Sequence, residues 1–337
     1  MTSAIIDRLG RPLRDLRISV TDRCNFRCTY CMPKEVFGDA YRFLDPAAIL
    51  NYEEIARVAR LFAAAGVQKL RITGGEPLVR ARIETLIALL QPIRGLHDLA
   101  LTTNGALLAS KAHALRAAGL RRITVSLDSL DQHVFDAMNG VGFPVGRVLD
   151  GIRAAQDAGL SPVKVNVVVR RGVNDHTVVD MARHFHASGV IVRFIEYMDV
   201  GESNGWRREH VVPGAEIVCR IDAELPLEPV AATYGGEVAK RYRYRDGGGE
   251  IGIITSVSHP FCGDCTRARL SSAGRLYTCL FGAVGLDLRS LMRAGADDEH
   301  IAGAIHSAWR AREDRYSELR SGAPGISPKV EMSHIGG

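Results

Sequence analysis

The chain has 337 residues, 46% hydrophobic and 24% charged, and Lys plus Arg outnumber Asp plus Glu by 43 to 38 for a net charge of +5. That is ample apolar material for a large core, so disorder is excluded as the main state, and the length predicts two domains or one large α/β domain with an appendage. The longest run free of polar residues, 279–286, is less than half of the roughly 20 residues a membrane span needs, and a beginning with an acid at Asp7 does not read as a signal peptide.

Short β-type runs at 16–20, 70–73, 99–103, 122–127, 163–169 and 190–195 alternate with helical segments. Ile55, Val58, Ala59 and Phe62 follow the i, i+3, i+4, i+7 spacing of one helix, as do Ile83, Leu86, Ile87 and Leu90 of the next. Asn51 with Glu54 three residues later predicts a capping box at the first of them. Strands alternating with helices imply βαβ units and a parallel sheet. Six such units predict an α/β fold, a barrel or partial barrel. The stretches after four strands are polar or Gly-rich: Thr73-Gly74-Gly75-Glu76-Pro77, Thr102-Thr103-Asn104-Gly105, Ser126-Leu127-Asp128-Ser129 and Glu196-Tyr197-Met198-Asp199. Turn chemistry explains one such loop; four in step point to a site at the C-terminal strand ends. Beyond a loop at 199–206, β-like stretches are expected at 241–245, 251–257 and 267–270, and helices near 286–293 and 300–312. The stretch 321–337, rich in Gly, Pro and Ser, reads as a loose tail.

Cysteine usage is the sharper signal. Seven cysteines, an odd number, argue against a disulfide framework and for a reducing, cytoplasmic setting. Cys24, Cys28 and Cys31 form a C-x₃-C-x₂-C run directly after the first strand. Three thiolates on one loop suit three corners of a [4Fe–4S] cubane and leave its fourth iron open to a small molecule. A structural zinc site is the competing reading, although zinc wants a fourth ligand and the next His and Cys are distant, at His97 and Cys219. Cys262, Cys265 and Cys279 give C-x₂-C-x₁₃-C, where His259 would complete a Cys₃His zinc set, so spacing alone leaves zinc and iron–sulfur level. Cys219, without a partner, reads as a small buried hydrophobe.

Arg267 and Arg269 are two apart and share a face if they lie on a strand. The same parity joins Arg17 to Ser19, Arg71 to Thr73 and Lys164 to Asn166. Charges on sheet faces near strand ends are costly unless an anion meets them, and Arg suits bidentate phosphate contact.

The string Leu16-Arg-Ile-Ser-Val-Thr-Asp-Arg-Cys-Asn-Phe-Arg-Cys-Thr-Tyr-Cys-Met-Pro33 resembles the GTP 3′,8-cyclase family of the radical S-adenosylmethionine (SAM) superfamily, and the strand-end motifs, the second triad and the terminal Gly336-Gly337 extend the resemblance over nearly the whole chain. The resemblance implies an incomplete (βα)6 TIM-type barrel over 1–200 holding the first [4Fe–4S] cluster. A C-terminal region over 201–320 would bring a second [4Fe–4S] cluster over the barrel mouth, and 321–337 would be a flexible Gly-Gly tail reaching the active site. It assigns Cys24, Cys28 and Cys31 to the first cluster and Cys262, Cys265 and Cys279 to the second, leaving His259 a bystander. It assigns Tyr30, Gly75, Ser126 and Met198 to SAM, with Gly75 allowing close backbone approach to a ligand. Arg17, Arg71, Thr102, Lys164, Arg267, Ala268 and Arg269 would bind GTP, as would Arg193 by the same logic of basic residues on strands. Gly336 and Gly337 would trigger SAM cleavage or position substrate. The implied reaction uses an external one-electron donor and a 5′-deoxyadenosyl radical that takes hydrogen from C3′ of GTP, closing C3′ onto C8. The product would pass to a cyclic pyranopterin monophosphate synthase, and a homodimer is implied. Two other readings remain: a radical SAM peptide-modifying enzyme, whose auxiliary domains generally carry more cysteines than three, and a zinc-stabilised nucleic-acid-binding protein. Against the latter, basic residues are interspersed with acids and form no long like-charge block, so no nucleic acid and no membrane is expected as partner.

Overall fold

In the computed structural model, which describes residues 4–320 and 329–336, the alternating pattern folds as mixed α/β. The order is β1 (Asp15–Ser19), α1 (Tyr52–Ala64), β2 (Lys69–Thr73), α2 (Ile83–Leu90), β3 (Asp98–Thr103), α3 (Leu108–Ala117), β4 (Arg122–Ser126), α4 (Gln132–Asn139), α5 (Val145–Asp157), β5 (Val163–Val169), α6 (Val178–Phe185) and β6 (Ile191–Glu196). There follow α7 (Gly214–Asp222), β7 (Leu227–Val230), β8 (Lys240–Tyr244), β9 (Glu250–Ile254), β10 (Arg267–Leu270), β11 (Arg275–Tyr277), β12 (Leu286–Asp287), α8 (Leu288–Arg293), α9 (Asp298–Arg310), α10 (Tyr316–Leu319) and α11 (Met332–Ile335). The capping box forms as expected: Glu54 N donates to Asn51 Oδ1 at 2.7 Å and Asn51 N to Glu54 Oε2 at 2.8 Å.

All strands join one sheet, ordered β12-β11-β10-β1-β2-β3-β4-β5-β6-β9-β8-β7. From β10 to β9 every pairing is parallel, and the outer strands add antiparallel ribbons. The pairing describes an open sheet, since among the described residues its end strands β12 and β7 do not meet. From the region beyond 200, β9 and β10 extend the parallel sheet at its two edges. Sequence order could not reveal this, because β10 pairs with β1, some 250 residues earlier.

Strand alternation sorts the two faces. On β5, Val163, Val165, Val167 and Val169 enter the main core, whereas Lys164, Asn166 and Val168 line a cavity on the other side. Helix residues such as Ile55, Phe62, Leu86, Leu115 and Ile152 belong to that same core. No helix among the described residues is long and apolar enough to cross a membrane. Cys219 departs from expectation: α7 buries Gly214, Ile217 and Ile221, and Cys219, off that stripe, is exposed.

Candidate active site

The polar face of the sheet lines a cavity of about 560 Å³, an ordinary size for a small-molecule site. Arg17, Arg71, Thr102, Lys164, Arg193, Arg267 and Arg269 line it, with Tyr30, Gly75, Ser126, Met198 and all six grouped cysteines. Ala268 does not. Lying between two residues that face the cavity, it turns to the other side and packs in the core.

Parallel register arranges the charges in rows. In one row Arg267, Asp15, Lys69 and Asp98 stand side by side on β10, β1, β2 and β3, and Arg122 pairs with Asp98, so opposite signs balance. Two residues nearer the C-terminal strand ends, Arg269, Arg17 and Arg71 are direct neighbours with no acid among them. Like charges side by side destabilise a sheet. Burial and the charges of Arg269, Arg267 and Arg71 drive the Arg17 pKa well below its usual value. Burial with Arg122 brings Arg71 down to about 10, and burial with Arg267 brings Arg269 to about 10. Arg193 falls to about 9 through burial, Arg71 and Arg122, and Lys164 to about 8 through burial, Arg193 and Arg122. The shared cause is positive charge crowded out of water, a condition that a polyanion relieves.

Hydroxyls hold the fan in place. Arg71 Nη1 donates to Thr102 Oγ1 at 2.9 Å and to Thr124 Oγ1 at 3.0 Å, and Arg193 Nη2 donates to Thr124 Oγ1 at 3.2 Å. Three buried atoms of cavity-lining residues, Asn166 Oδ1, Arg193 Nε and Ser256 Oγ, have no hydrogen-bond partner among the described residues. Buried polar atoms are seldom left so, and a polar ligand here would complete them.

Cys24, Cys28 and Cys31 lie on the loop after β1, where Cys31 N and Met32 N both donate to Cys28 O at 3.0 and 2.8 Å. Phe26 N and Asn104 Nδ2 donate to Cys24 Sγ at 3.3 and 3.8 Å. Burial pushes the Cys24 thiol up to about 12 and raises those of Cys28 and Cys31, so charged sulfur there calls for a metal partner. A Cβ on Gly75 would stand 2.6 Å from the Arg23 carbonyl carbon, because Gly75 N donates to Thr21 O and Glu76 N to Arg23 O. Gly75 therefore lets the β2 strand end approach the cysteine loop closely. Glu76 accepts from Leu78 N, Thr103 Oγ1 and Asn104 N, and burial raises its pKa to about 7. Tyr30 OH donates to Asp128 Oδ2 and Val168 N to Asp128 Oδ1, both at 2.9 Å, which ties the loop to β5.

The second triad comes from the turn around Cys262, from Cys265 just before β10 and from Cys279 just after β11. Burial alone would raise the Cys265 thiol, yet the charges of Arg267 and Arg312 bring it down to about 6, with Arg267 Nη2 donating to its sulfur at 3.5 Å. Burial raises Cys279 to about 11. His259 is exposed and its Nδ1 lies 3.2 Å from Ser258 Oγ. Among the described residues no three His, Cys, Asp or Glu side chains are grouped to hold a single ion. The thiols are free, and three soft donors with N–H groups aimed at sulfur fit a cluster in either triad.

The predicted loose tail is held over 329–336. Lys329 Nζ donates to Asp199 O and Oδ2 at 2.9 Å, Tyr316 OH to Asp199 Oδ2 at 2.6 Å, and Arg320 pairs with Asp199 at 2.8 Å. Glu331 accepts from Glu202 N, Ser203 N and Ser203 Oγ. Gly336, at φ +75°, lies against Thr73 and Ser19 at the strand ends of β2 and β1, and Arg269 donates to its carbonyl. Gly337 lies outside the described residues.

Known proteins resemble this chain along its length. Residues 18–185 match the model of the Radical SAM superfamily and residues 190–318 that of Molybdenum Cofactor Synthesis C. The chain is 53% identical over 362 residues to a GTP 3′,8-cyclase of Acidothermus cellulolyticus and 50% identical over 337 residues to one of Xanthomonas axonopodis pv. citri, with 100% of each chain covered. It is 48% identical over 341 residues to one of Staphylococcus haemolyticus, again with full coverage. The chain belongs to the GTP 3′,8-cyclase family. Among solved structures, Streptococcus suis SuiB bound to S-adenosylmethionine matches with TM-score 0.62 over 88% of this chain and 68% of that one at 16% identity. Native anSMEcpe with bound AdoMet and Cp18Cys peptide matches with TM-score 0.54 over 96% and 94% at 14% identity. At such identities the likeness is one of fold.

This member of the GTP 3′,8-cyclase family has cavity residues that the sequence analysis missed. Lys69 shares parity with Arg71, so the same two-residue rule would have found it. Tyr234, on the β7–β8 connection, accepts from Lys69 Nζ at 2.9 Å and left no sequence signal. Arg122 shows its role only through its pairing with Asp98 across β3 and β4.

Proposed function

We propose that this chain, a radical SAM GTP 3′,8-cyclase, converts GTP to 3′,8-cyclo-7,8-dihydro-GTP in the first step of molybdenum cofactor biosynthesis. The observation that carries this reading, beside membership of the family, is the meeting of two thiol triads and an uncompensated row of arginines in one cavity. Cys24, Cys28 and Cys31 would hold a [4Fe–4S] cluster with SAM at its open iron. Cys262, Cys265 and Cys279 would hold a second cluster, facing the guanine base. When bound and reduced by an external donor, the first cluster and SAM supply a carbon-centred radical.

The chain's own residues bind and orient. Tyr30, Gly75, Ser126 and Met198 lie on the SAM side of the cavity. Arg17, Arg71, Thr102, Lys164, Arg193, Arg267 and Arg269 take the triphosphate. Their anchorage on one sheet sets the ribose at a fixed distance from SAM, and most of the gain from such fixing is entropic. Gly336 and Gly337 would help to trigger SAM cleavage or position the substrate, with Gly336 lying against the strand ends of β2 and β1. We read residues 1–200 as an incomplete (βα)6 barrel whose mouth the 201–320 region covers, with 321–337 as the tail. The product would go to a cyclic pyranopterin monophosphate synthase; homodimerisation and a cytoplasmic setting belong to the same proposal. Anaerobic incubation with SAM, dithionite and GTP tests it: the cyclised nucleotide and 5′-deoxyadenosine should appear together. Release of 5′-deoxyadenosine with a peptide but not with GTP, or protein that binds zinc and no iron, would refute it.

A further inference from the structure

Behind the second triad lies a buried ionic group with no role in the reaction as described. Asp7, Arg11 and Arg312 are 6%, 2% and 4% exposed, although two come from the segment before β1 and the third from the segment after α9. Asp7 is shared. Its Oδ2 accepts from Arg11 Nε at 2.6 Å and from Arg312 Nη1 at 3.1 Å, and its Oδ1 accepts from the Leu9 and Arg11 amides at 2.9 Å. Other guanidinium N–H groups reach the backbone of the cysteine segments. Arg11 Nη1 donates to Cys262 O and Asp314 O at 2.8 Å, Arg312 Nη1 to Cys265 O at 2.8 Å, and Arg312 Nε to Thr278 O, just before Cys279, at 3.0 Å. Trp309 backs the group, with its Nε1 donating to Arg11 O at 3.2 Å and its ring 4.5 Å from the Arg312 guanidinium.

Asp7 binds both cations, Arg312 Nε also lies 3.6 Å from Asp314 Oδ2, and apolar side chains would fill the same space at lower cost. The arrangement has a geometric consequence instead. A guanidinium is a rigid fork that can serve two carbonyls at once, and a pinned cysteine carbonyl narrows where its sulfur can go. Cys262 and Cys265 come from one turn and Cys279 from another, with no disulfide between them. The Asp7-bridged arginines join both segments.

We propose that Arg11 and Arg312, bridged by Asp7, are positioning residues that hold Cys262, Cys265 and Cys279 ready for a cluster. This rests on the reading that the triad holds a second cluster. The test compares wild type, the C262A/C265A/C279A variant, Arg312→Gln and the milder Arg312→Lys after anaerobic reconstitution. Iron and sulfide per chain, EPR spectra of the reduced clusters, their potentials and near-UV circular dichroism are read. Wild type should hold about eight iron and the triple cysteine variant about four. Both Arg312 variants should lose second-cluster iron, Arg312→Gln down to about four, since neither side chain can serve Cys265 O and Thr278 O through a fork. The first cluster's EPR signal, its change on adding SAM and the native dichroism should stay. Retention of about eight iron with an unchanged second-cluster potential in both variants overturns the proposal. So does loss of the first cluster alongside the second, which would make Arg312 a general folding residue. A wild type that matches the triple cysteine variant instead overturns the second-cluster reading itself, and the clamp with it.

Discussion

Arg17 stands in register between Arg269 and Arg71, so replacing it with Met should stabilise the ligand-free protein and weaken GTP binding. Neighbouring strands lie about 4.8 Å apart. Two charges at about 5 Å repel by about 3 kcal/mol at an effective dielectric of about 20, and by about 2 kcal/mol if the side chains fan out to about 8 Å. Arg17 has two such neighbours, and Met keeps most of its aliphatic packing. The net gain should fall in the range of about 1–4 kcal/mol seen when apolar groups replace buried charges, worth about 1–2 °C in Tm per kcal/mol for a chain of this size. Binding goes the other way. One lost charge-assisted phosphate contact costs about 1.5–3 kcal/mol, or roughly 10- to 150-fold in Kd. Anaerobic thermal melting without ligand and equilibrium GTP binding at fixed ionic strength measure the two effects. Arg122→Met serves as the control, because it strips Asp98 of a partner in the balanced row and should lower Tm. If Arg17→Met lowers Tm and leaves GTP binding unchanged, the arginine row is structural and the reasoning fails.

Gly75→Ala should force the cysteine loop away from the β2 strand end, at a cost of about 1–3 kcal/mol for overpacking; iron should fall by the first cluster's share while circular dichroism stays native. Gly336→Ala meets Thr73 Cβ at 3.0 Å in a left-handed conformation, and about 1–2 kcal/mol of backbone cost adds to the clash. Faster hydrogen exchange over 329–336 and reduced cyclisation, with Tm unchanged, is the expected result. For Asp199, burial would raise the pKa, but the bonds from Tyr316 and Lys329 outweigh it and hold the carboxyl below its usual value. Its contribution to holding the tail is therefore complete above the ordinary aspartate value of about 3.9 and fades as pH falls through the lower bound-state value. Hydrogen exchange over 329–336 should be protected alike from pH 6 to 8 after correction for intrinsic rates, and Asp199→Asn should remove protection at neutral pH.

Local order carried far in this chain. The strict alternation of 163–169, the capping box at Asn51 and Glu54, the two thiol triads and the two-residue parity of Arg17, Arg71, Lys164 and Arg267 are all readable residue by residue, because periodicity assigns a side chain to a face before any partner is known. Register is not local. That Arg269, Arg17 and Arg71 form an unbalanced row, while Arg267, Asp15, Lys69 and Asp98 form a balanced one, depends on how β10 pairs with β1 across most of the chain. The same distance hid the Arg11–Asp7–Arg312 group, whose members stand at opposite ends of the sequence. It also hid the anchorage of 329–336 through Lys329 on Asp199. Cys219 marks the remaining limit. A residue type suggests burial or contact, but only the packed helix or strand decides which way the side chain turns.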